Sequence, residues 1–407
     1  MAVARSITEG HVMVGGIRLV AISEAPQHIG PSVRTIKSKP GELNHVLARG
    51  RYQTPLRYPG AKTGLADLIG RVIESAKTSR QVGRVDLLVE PFAGGASTSL
   101  RLVGAGIVDR ILLADADPLV AAFWQVAAAQ TEKIIDRMVE EHNTYIARSR
   151  SIALERWDYW RQWRPAPGMS ANSARFEAAV KCLVLNRTTF SGILHGRAGP
   201  IGGRKQESSY GIDCRFNIDA LAERLRYVGH LYETSRLVDV WCKDWRDTLA
   251  NVPEWYAHLI PSHVVAYLDP PYLQKSNKLY QRSFDTHGGY APAPVSDLHW
   301  SDDWVHHRLA DYLQRKMRFR WVLSYDAHPV LLANAALYRC ARMTPTADDK
   351  AYLGVKEWQI SKRLVSLRYT VSAKMNRAAA DELLITTMPP STVPVDDNFR
   401  LVGNRIG

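Results

Sequence analysis

The residues best suited to bind a polar ligand group are 268–272, which read LDPPY and follow the apolar run HVVAY. The two prolines remove two backbone donors and fix φ, so the turn is stiff. The Asp269 carboxylate and the Pro270 carbonyl are then two acceptors held near each other, which suits an NH2 group with its two donors. Tyr272 adds a flat face on which a base can stack. The stretch therefore indicates a site for the amino group of a base; a strand that merely ends at a Pro-Pro turn is the alternative.

Two other apolar runs end in residues that suit a ligand, LVEPFAGGAST and LLADADP. Gly94 and Gly95 allow the backbone to approach a ligand closely, although a tight strand–helix turn explains them equally well. The third glycine of G-x-G-x-x-G is missing, so a dinucleotide fingerprint is not supported. Asp115 is the better candidate to accept hydrogen bonds from both hydroxyls of a ribose. Asp117 is expected to cap the helix that begins at Pro118.

The elements that must position these residues alternate between helices and strands. Residues 62–75 have a helical apolar face, VDLLVE and RILLADAD are short buried strands, and the stretch from Pro118 is strongly helical. This order predicts an α/β fold with parallel strands. Because ligands bind outside the carboxyl ends of the strands in such sheets, we expect the three stretches to line one site.

Residues 131–230 interrupt this alternation with helical segments and a long loop, predicted at residues 185–216, that is rich in Gly, Arg and Ser. A loop of that length inside a domain is usually functional or disordered. The alternation resumes with LVDVW, HVVAYLDPPY and RWVLSYD. The later runs RLVSLRYTVSA and DELLITTMP can pair as a hairpin, and HVMVGGIRLVAI near the N-terminus can form another.

Composition narrows the class of partner. The chain has 407 residues with 53 Lys plus Arg against 40 Asp plus Glu, a net charge of +13. This surplus favours a nucleic acid or an anionic membrane, although a soluble enzyme that uses much arginine is the alternative. We predict no membrane association, since no window offers about 18 uninterrupted apolar residues. Four cysteines without a C-x-x-C pair argue against a metal site and fit a cytoplasmic protein.

The order YPGAK, LVEPFAGGAS, LLADADP, NRTTFSG, LDPPY and DELLI resembles the D12 (Dam-like) class of N6-adenine-specific DNA methyltransferases. LDPPY alone also occurs in other methyltransferases, so the order makes the resemblance specific. It runs from about residue 56 to residue 390 and implies a Rossmann-like class I methyltransferase sheet. The implied division is an N-terminal extension at 1–50, a catalytic domain at 51–390 with an inserted, mainly helical target-recognition region at 131–230, and a C-terminal tail at 391–407.

The resemblance also implies site residues. Those that match the motifs for S-adenosylmethionine are Tyr58, Lys62, Glu90, Pro91, Phe92, Gly94, Gly95, Asp115 and Asp269. The catalytic motif corresponds to Asp269, Pro270, Pro271 and Tyr272. The predicted DNA contacts are Asn186, Arg187, Arg197, Arg204 and Lys205, with solvated surface charges as the alternative for the basic ones. The chain departs from the family at Ala96, where many members have glycine, and at SGILHGR, where N-G-L-x-R is common.

The implied activity is methyl transfer from S-adenosylmethionine to the N6 amine of a flipped-out adenine in double-stranded DNA, without a metal. We expect a monomer or weak dimer; the sequence does not identify a partner from a restriction-modification system. Three alternatives stay open. The acceptor can be cytosine N4 or an adenine in RNA, or the chain can be a non-catalytic nucleic-acid-binding protein with a degenerate core.

Overall fold

A computed structural model describes residues 12–14, 17–19, 53–57, 64–80, 82–196, 198–271, 298–332, 338, 342–343, 358–368 and 379–402. Near the N-terminus, β1 (Val12–Val14) and β2 (Ile17–Leu19) pair antiparallel, which confirms the hairpin predicted there. A second small pair is formed by β8 (Arg342–Met343) and β9 (Trp358–Gln359). The large sheet consists of β3 (Leu87–Glu90), β4 (Arg110–Ala114), β5 (Leu237–Trp241), β6 (Val264–Leu268), β7 (Arg320–Asp326), β10 (Ser361–Arg368), β11 (Ala379–Thr386) and β12 (Arg400–Leu401).

The large sheet has eight strands in the order β12-β10-β11-β7-β6-β3-β4-β5. The five strands from β7 to β5 pair parallel, while β11, β10 and β12 pair antiparallel at one side. The predicted hairpin of the last long runs is thus confirmed as β10 and β11. The chain continues from β3 to β4 and β5 in one direction and adds β6 and β7 in the other. This puts a topological switch point between β3 and β6, where open α/β sheets bind ligands.

Both faces of the sheet are covered, which explains why its parallel strands are largely apolar. Along β3, Leu88 faces one buried cluster while Leu87 and Val89 face the other. Phe399 is fully buried in the first cluster, and β12 pairs with β10, so this part of residues 391–407 packs with the sheet. The division of the chain at residue 390 stays a prediction. The mixed α/β architecture with a mostly parallel central sheet is consistent with a methyltransferase fold.

Five of the helices begin at a residue whose side chain caps them. Asp117, Ser149, Ser170, Asn217 and Asp244 each accept a hydrogen bond from a backbone N–H of the helix that follows. The helices are α1 (Leu65–Thr78), α2 (Ser97–Gly104), α3 (Pro118–Ala129), α4 (Thr131–Glu141), α5 (Arg150–Gln162), α6 (Ala171–Thr188), α7 (Ile218–Glu233), α8 (Trp245–Trp255), α9 (Leu298–Arg315) and α10 (Pro329–Leu332). Among the residues described, none of these helices is long and apolar enough to cross a membrane.

The stretch between β4 and β5 is helical from α3 to α7, interrupted by a long irregular segment after residue 188. The predicted loop was expected to begin at residue 185, but α6 continues through Thr188. The extension is stable because Asn186, Arg187 and Thr188 are buried there, and each forms a hydrogen bond. A role in target recognition for residues 131–230 stays a prediction.

Candidate active site

Three acidic residues from neighbouring strands meet at the carboxyl edge of the sheet. Glu90 ends β3, Asp115 follows β4, and Asp269 follows β6, and both β4 and β6 pair with β3. They are close enough to interact, because the charges of Asp269 and Asp115 add to the effect of burial in raising the pKa of Glu90. The structure therefore brings these three predicted residues together, at the switch point of the sheet.

Asp115 is held by two backbone amides. Its Oδ2 accepts a hydrogen bond from the N–H of Gly94 at 2.8 Å, and its Oδ1 accepts one from the N–H of Asp117 at 2.8 Å. Burial, followed by the charge of Asp117, raises the pKa of Asp115 to about 7. Each oxygen keeps a further lone pair, so the carboxylate can still accept hydrogen bonds from a diol. Asp117 caps α3 through the N–H of Leu119 at 2.9 Å, as predicted.

The turn after β3 is fixed from both sides. Gly94 has a φ of 44°, which favours glycine, and its carbonyl accepts a hydrogen bond from the Trp124 indole at 2.9 Å. The N–H of Ala93 donates to the carbonyl of Ala114 at 2.9 Å, which ties the turn to β4. Ala96, where many family members have glycine, has a φ of 47° and precedes α2. A left-handed alanine costs about 1 kcal/mol, so the missing glycine leaves strain in the backbone.

Glu90 is a buried acid with an unused acceptor. Glu90 is 3% exposed, and its Oε2 has no hydrogen-bond partner among the described residues. Burial raises the pKa of Glu90 to about 8, although hydrogen bonding with the side chain and backbone of Ser99 lowers it. An unsatisfied buried acceptor is costly, so a ligand that donates a hydrogen bond here would gain affinity. Next to it, Pro91 and Gly95 are buried, and Phe92 is half-buried.

Asp269 is oriented by the neighbouring strand. Ser324 of β7 donates a hydrogen bond from Oγ to Oδ1 of Asp269 at 2.8 Å, and the hydroxyl of Tyr267 lies 3.1 Å from the same Oγ. Pro270 is buried and Pro271 is half-buried, as expected for a stiff turn. The predicted Tyr272 lies outside the described residues. The structure thus shows how one oxygen of the acid is anchored at the end of β6.

Asn186 and Arg187 hold the segment 53–57, directly before the predicted cofactor motif. The Asn186 amide accepts a hydrogen bond from the N–H of Arg57 and donates to the Arg57 carbonyl, both at 2.6 Å. Arg187 is 6% exposed and donates to the Pro55 carbonyl. Their predicted contacts with DNA stay predictions; the described contacts are internal. Tyr58 and Lys62 lie outside the described residues.

Gly192 allows this segment and the loop after α6 to touch. It has a φ of 75°, and a Cβ placed on it would lie 2.3 Å from the carbonyl oxygen of Arg57. Its own carbonyl accepts a hydrogen bond from Asn186 at 3.1 Å. Only glycine therefore fits the position. Phe190, two residues earlier, is 66% exposed, which sequence reasoning did not single out.

The remaining predicted DNA contacts lie in the irregular segment after α6. Arg204 is exposed and makes a bidentate ion pair with Asp158 of α5, at 2.6 and 2.9 Å. Lys205 is exposed, and Arg197 lies outside the described residues. The exposed cations are available to a polyanion, so contact with DNA phosphates stays a prediction for them.

A contact that sequence reasoning missed joins the same loop to the carboxyl edge of the sheet. Nε2 of His195 lies 2.5 Å from Oδ2 of Asp117, although the two residues are far apart in sequence. His195 is the residue that interrupts the family pattern in SGILHGR. The departure from N-G-L-x-R was the available signal, but nothing in the local sequence identifies its partner.

A second buried glutamate lies in the helical region. Glu141 of α4 is 0% exposed and accepts hydrogen bonds from Arg156 at 2.7 Å, Arg137 at 2.5 Å and the Trp160 indole at 3.0 Å. Burial raises its pKa, but Arg156, Trp160 and Arg137 outweigh burial and hold the pKa of Glu141 below its ordinary value. This acid is fully satisfied within the protein.

The described residues hold no group of three or more His, Cys, Asp or Glu side chains arranged for a metal ion. No curated protein matches the chain. Residues 58–199 match the family model described as D12 class N6 adenine-specific DNA methyltransferase. The match begins at Tyr58, includes Glu90 and Asp115, and ends before the Asp269 motif. It confirms the resemblance drawn from the motifs: over residues 58–199, about a third of its length, the chain is similar to the D12 class of adenine-specific DNA methyltransferases.

Proposed function

We propose that the chain methylates the N6 amine of adenine in DNA with S-adenosylmethionine as methyl donor. The observation that carries this proposal is the meeting of Glu90, Asp115 and Asp269 at the switch point of the sheet. Two of the three acids follow the strands where a methyltransferase holds its cofactor, and the third begins the motif that holds an amine. The family match over residues 58–199 supports the acceptor class, an adenine in DNA.

The described residues fit S-adenosylmethionine. Asp115 keeps lone pairs for two hydroxyls, and Glu90 offers a buried acceptor that no described residue uses. The turn at Gly94 brings backbone close to the same space. Tyr58 and Lys62 are proposed to complete the cofactor site. When bound, S-adenosylmethionine supplies an electrophilic methyl group.

The protein's own contribution is to hold and orient the acceptor amine. We propose that N6 donates hydrogen bonds to the Asp269 carboxylate and the Pro270 carbonyl, so that its lone pair points away from them. Ser324 keeps the carboxylate in place for this role. Positioning of this kind contributes roughly 7–11 kcal/mol in favourable cases. The carboxylate also stabilises positive charge that develops on the amine. Transfer is direct, without a covalent intermediate on the enzyme.

The amine of a paired adenine is inaccessible inside the duplex, so the proposal requires base flipping, at a cost of a few kcal/mol. Tyr272 is proposed to stack on the flipped base. The exposed ring of Phe190 offers a further apolar surface in the loop after α6. The exposed cations Arg204 and Lys205 are proposed to contact phosphates, with Arg197 beside them in the sequence.

The test is the variant Asp269→Ala, with Asp397→Ala as a matched control because Asp397 is an exposed aspartate on the surface. Asp269→Ala should lower methyl transfer to plasmid DNA at least about 10²- to 10³-fold, as expected for loss of a group that acts on charge in the transition state. Binding of S-adenosylmethionine should remain measurable by calorimetry. Near-normal turnover of the Asp269 variant would exclude this role.

Analysis of the labelled nucleosides separates the alternatives. N6-methyladenine in DNA supports the proposal, whereas N4-methylcytosine, or label only in RNA, contradicts the proposed acceptor. A protein that binds DNA but transfers no label with any of these substrates is the non-catalytic alternative. Running all substrates in one experiment with the wild-type chain makes the outcomes directly comparable.

A further inference from the structure

His195 is linked to the carboxyl edge of the sheet by a series of polar contacts through Asp117 and Asp115. Its Nε2 lies 2.5 Å from Oδ2 of Asp117. The N–H of Asp117 donates to Oδ1 of Asp115, and Oδ2 of Asp115 accepts from the N–H of Gly94, both at 2.8 Å. A side chain of the loop after α6 thus reaches the proposed ribose-binding acid through one intermediate residue.

The loop that carries His195 is fixed on both sides of it. Arg161 of α5 donates to the carbonyl of Leu194 at 3.0 Å and to the carbonyl of Gly196 at 2.5 Å. Further back, the Trp157 indole donates to Oγ1 of Thr189 at 2.9 Å. The backbone on both sides of His195 is therefore held close to the Asp117 carboxylate, although the imidazole itself is 49% exposed.

The charges around His195 have opposing effects. Burial lowers the pKa of His195, but the Asp117 carboxylate raises it more; Arg161 and Lys181 are the cations that face it and lower the pKa. The net direction is upward, so the protonated ring is favoured. The ion pair then contributes stability below the ordinary pKa of histidine and loses it as pH rises through the higher pKa of the folded state.

The effect on Asp115 gives this pair a function. An acid must be ionised for both of its oxygens to accept hydrogen bonds from a diol. The carboxylate of Asp117 raises the pKa of its neighbour Asp115 after burial, and His195 lowers it. Without the cation on His195, Asp115 would be protonated at a higher pH and would accept fewer hydrogen bonds.

We propose that His195 is a positioning residue for the cofactor site, which neutralises Asp117 and thereby keeps Asp115 ionised and oriented toward the ribose of S-adenosylmethionine. This inference rests on the proposed function. It assigns a role in cofactor binding to a residue of the loop after α6, a region that the sequence associates with DNA. It also accounts for histidine at a position where the family pattern differs.

The test measures the affinity for S-adenosylmethionine by calorimetry, without DNA, from pH 5.5 to 9. His195→Ala should weaken binding at pH 7 about fivefold, as expected if the pKa of Asp115 rises by one unit from about 7. The pH at which binding reaches half its maximum should rise. His195→Lys, which restores a cation, should return both quantities toward wild type. His258→Ala, at an exposed histidine of the 3-10 turn after α8, is the matched control and should have no effect.

The variant Asp117→Asn tests the route of the effect, since asparagine can still cap α3. In that background, His195→Ala should change the affinity less than about twofold. The inference is overturned if His195→Ala leaves the affinity unchanged, if binding falls without a shift in the pH midpoint, or if the loss is equally large beside Asp117→Asn. Unfolding curves identify a variant that fails to fold, and His195→Lys then decides.

The inference and the proposed function fail in different ways. If the wild-type chain binds no S-adenosylmethionine and transfers no methyl group, the proposed function is wrong. If the wild-type chain binds the cofactor and methylates adenine while His195→Ala matches it at every pH, only the role of His195 is wrong.

Discussion

Glu90 and Glu141 are equally buried glutamates in opposite electrostatic situations. Glu141, in the helical region, accepts hydrogen bonds from two arginines and an indole, and its pKa lies below the ordinary value. Glu90, at the strand edge, has an oxygen without a described partner, and burial raises its pKa to about 8. The first acid is satisfied by the fold itself, whereas the second is arranged for something that the fold does not supply.

The difference separates structural charges from functional ones. A buried charge that is fully paired stabilises one arrangement of helices, here α4 against α5. A buried acid with a raised pKa and a free acceptor destabilises the empty protein, so its retention calls for a ligand. Burial alone would have placed both residues in one class, and hydrogen-bond partners distinguish them.

The largest effect should come from Glu141→Ala. Removing the acid leaves the partly buried guanidinium groups of Arg137 and Arg156 without their buried partner, which costs up to about 3–5 kcal/mol in the free energy of unfolding. Glu140→Ala is the matched control, because the adjacent Glu140 is 62% exposed at its side chain and contacts Arg137 only at 3.4 Å. Chemical denaturation of both variants measures the difference. Equal, small losses would show that the buried cluster is not structural.

Glu90→Gln should have an effect on stability that depends on pH. The pKa of Glu90 is raised from 4.5 to about 8, so the folded state binds the extra proton between these values. Wild type therefore loses stability as pH rises from 4.5 to 8, by at most about 1.4 kcal/mol per pH unit. Glutamine does not titrate and resembles the protonated acid. The variant should match wild type near pH 5 and exceed it in stability at pH 8, measured by denaturation across this range.

The opposite pH trend, with wild type gaining on Glu90→Gln as pH rises, would mean that Glu90 is paired as Glu141 is. The same variant also tests whether Glu90 and Glu141 differ in their effect on cofactor binding. If Glu90 provides the acceptor for the cofactor, its substitution should weaken binding of S-adenosylmethionine more than Glu141→Gln does in protein that remains folded.

The smallest effect on the fold should come from Arg204→Ala, which breaks an exposed ion pair with Asp158. Stability should be unchanged, because such pairs are screened by water and salt. DNA affinity should fall, and the slope of log affinity against log salt should decrease by about 1 if one phosphate contact is lost. Arg315→Ala, which breaks the exposed pair with Asp311, is the matched control. An unchanged salt slope would remove Arg204 from the proposed interface.

Local patterns in the sequence predicted the strand ends and the turns well. Asp115 and Asp269 were identified because each follows a buried strand, whereas Glu90 was implied by the family resemblance. The β10–β11 hairpin and the Asp117 cap follow from local chemistry. Contacts between helices were not predictable in this way. The Glu141 cluster and the His195–Asp117 pair join residues whose positions depend on how helix faces pack.

The end of α6 shows the same limit from another side. Residues 186–188 were predicted to belong to the long loop rich in Gly, Arg and Ser. Two of their side chains are instead satisfied by tertiary partners, Asn186 by the backbone of Arg57 and Arg187 by the carbonyl of Pro55. Burial and distant hydrogen bonds overrode the local preference, and neither is visible in a single sequence.

The contact at Gly192 has a mechanical consequence. Backbone touches backbone there, since a Cβ would lie 2.3 Å from the Arg57 carbonyl oxygen, and Asn186 bridges both partners. With no side chain in between to absorb a displacement, any shift of the loop at residues 190–192 must be transmitted to residues 53–57. We therefore expect the two pieces of chain, remote in sequence, to move together. Tyr58, a predicted cofactor residue, is the next residue in the sequence after Arg57.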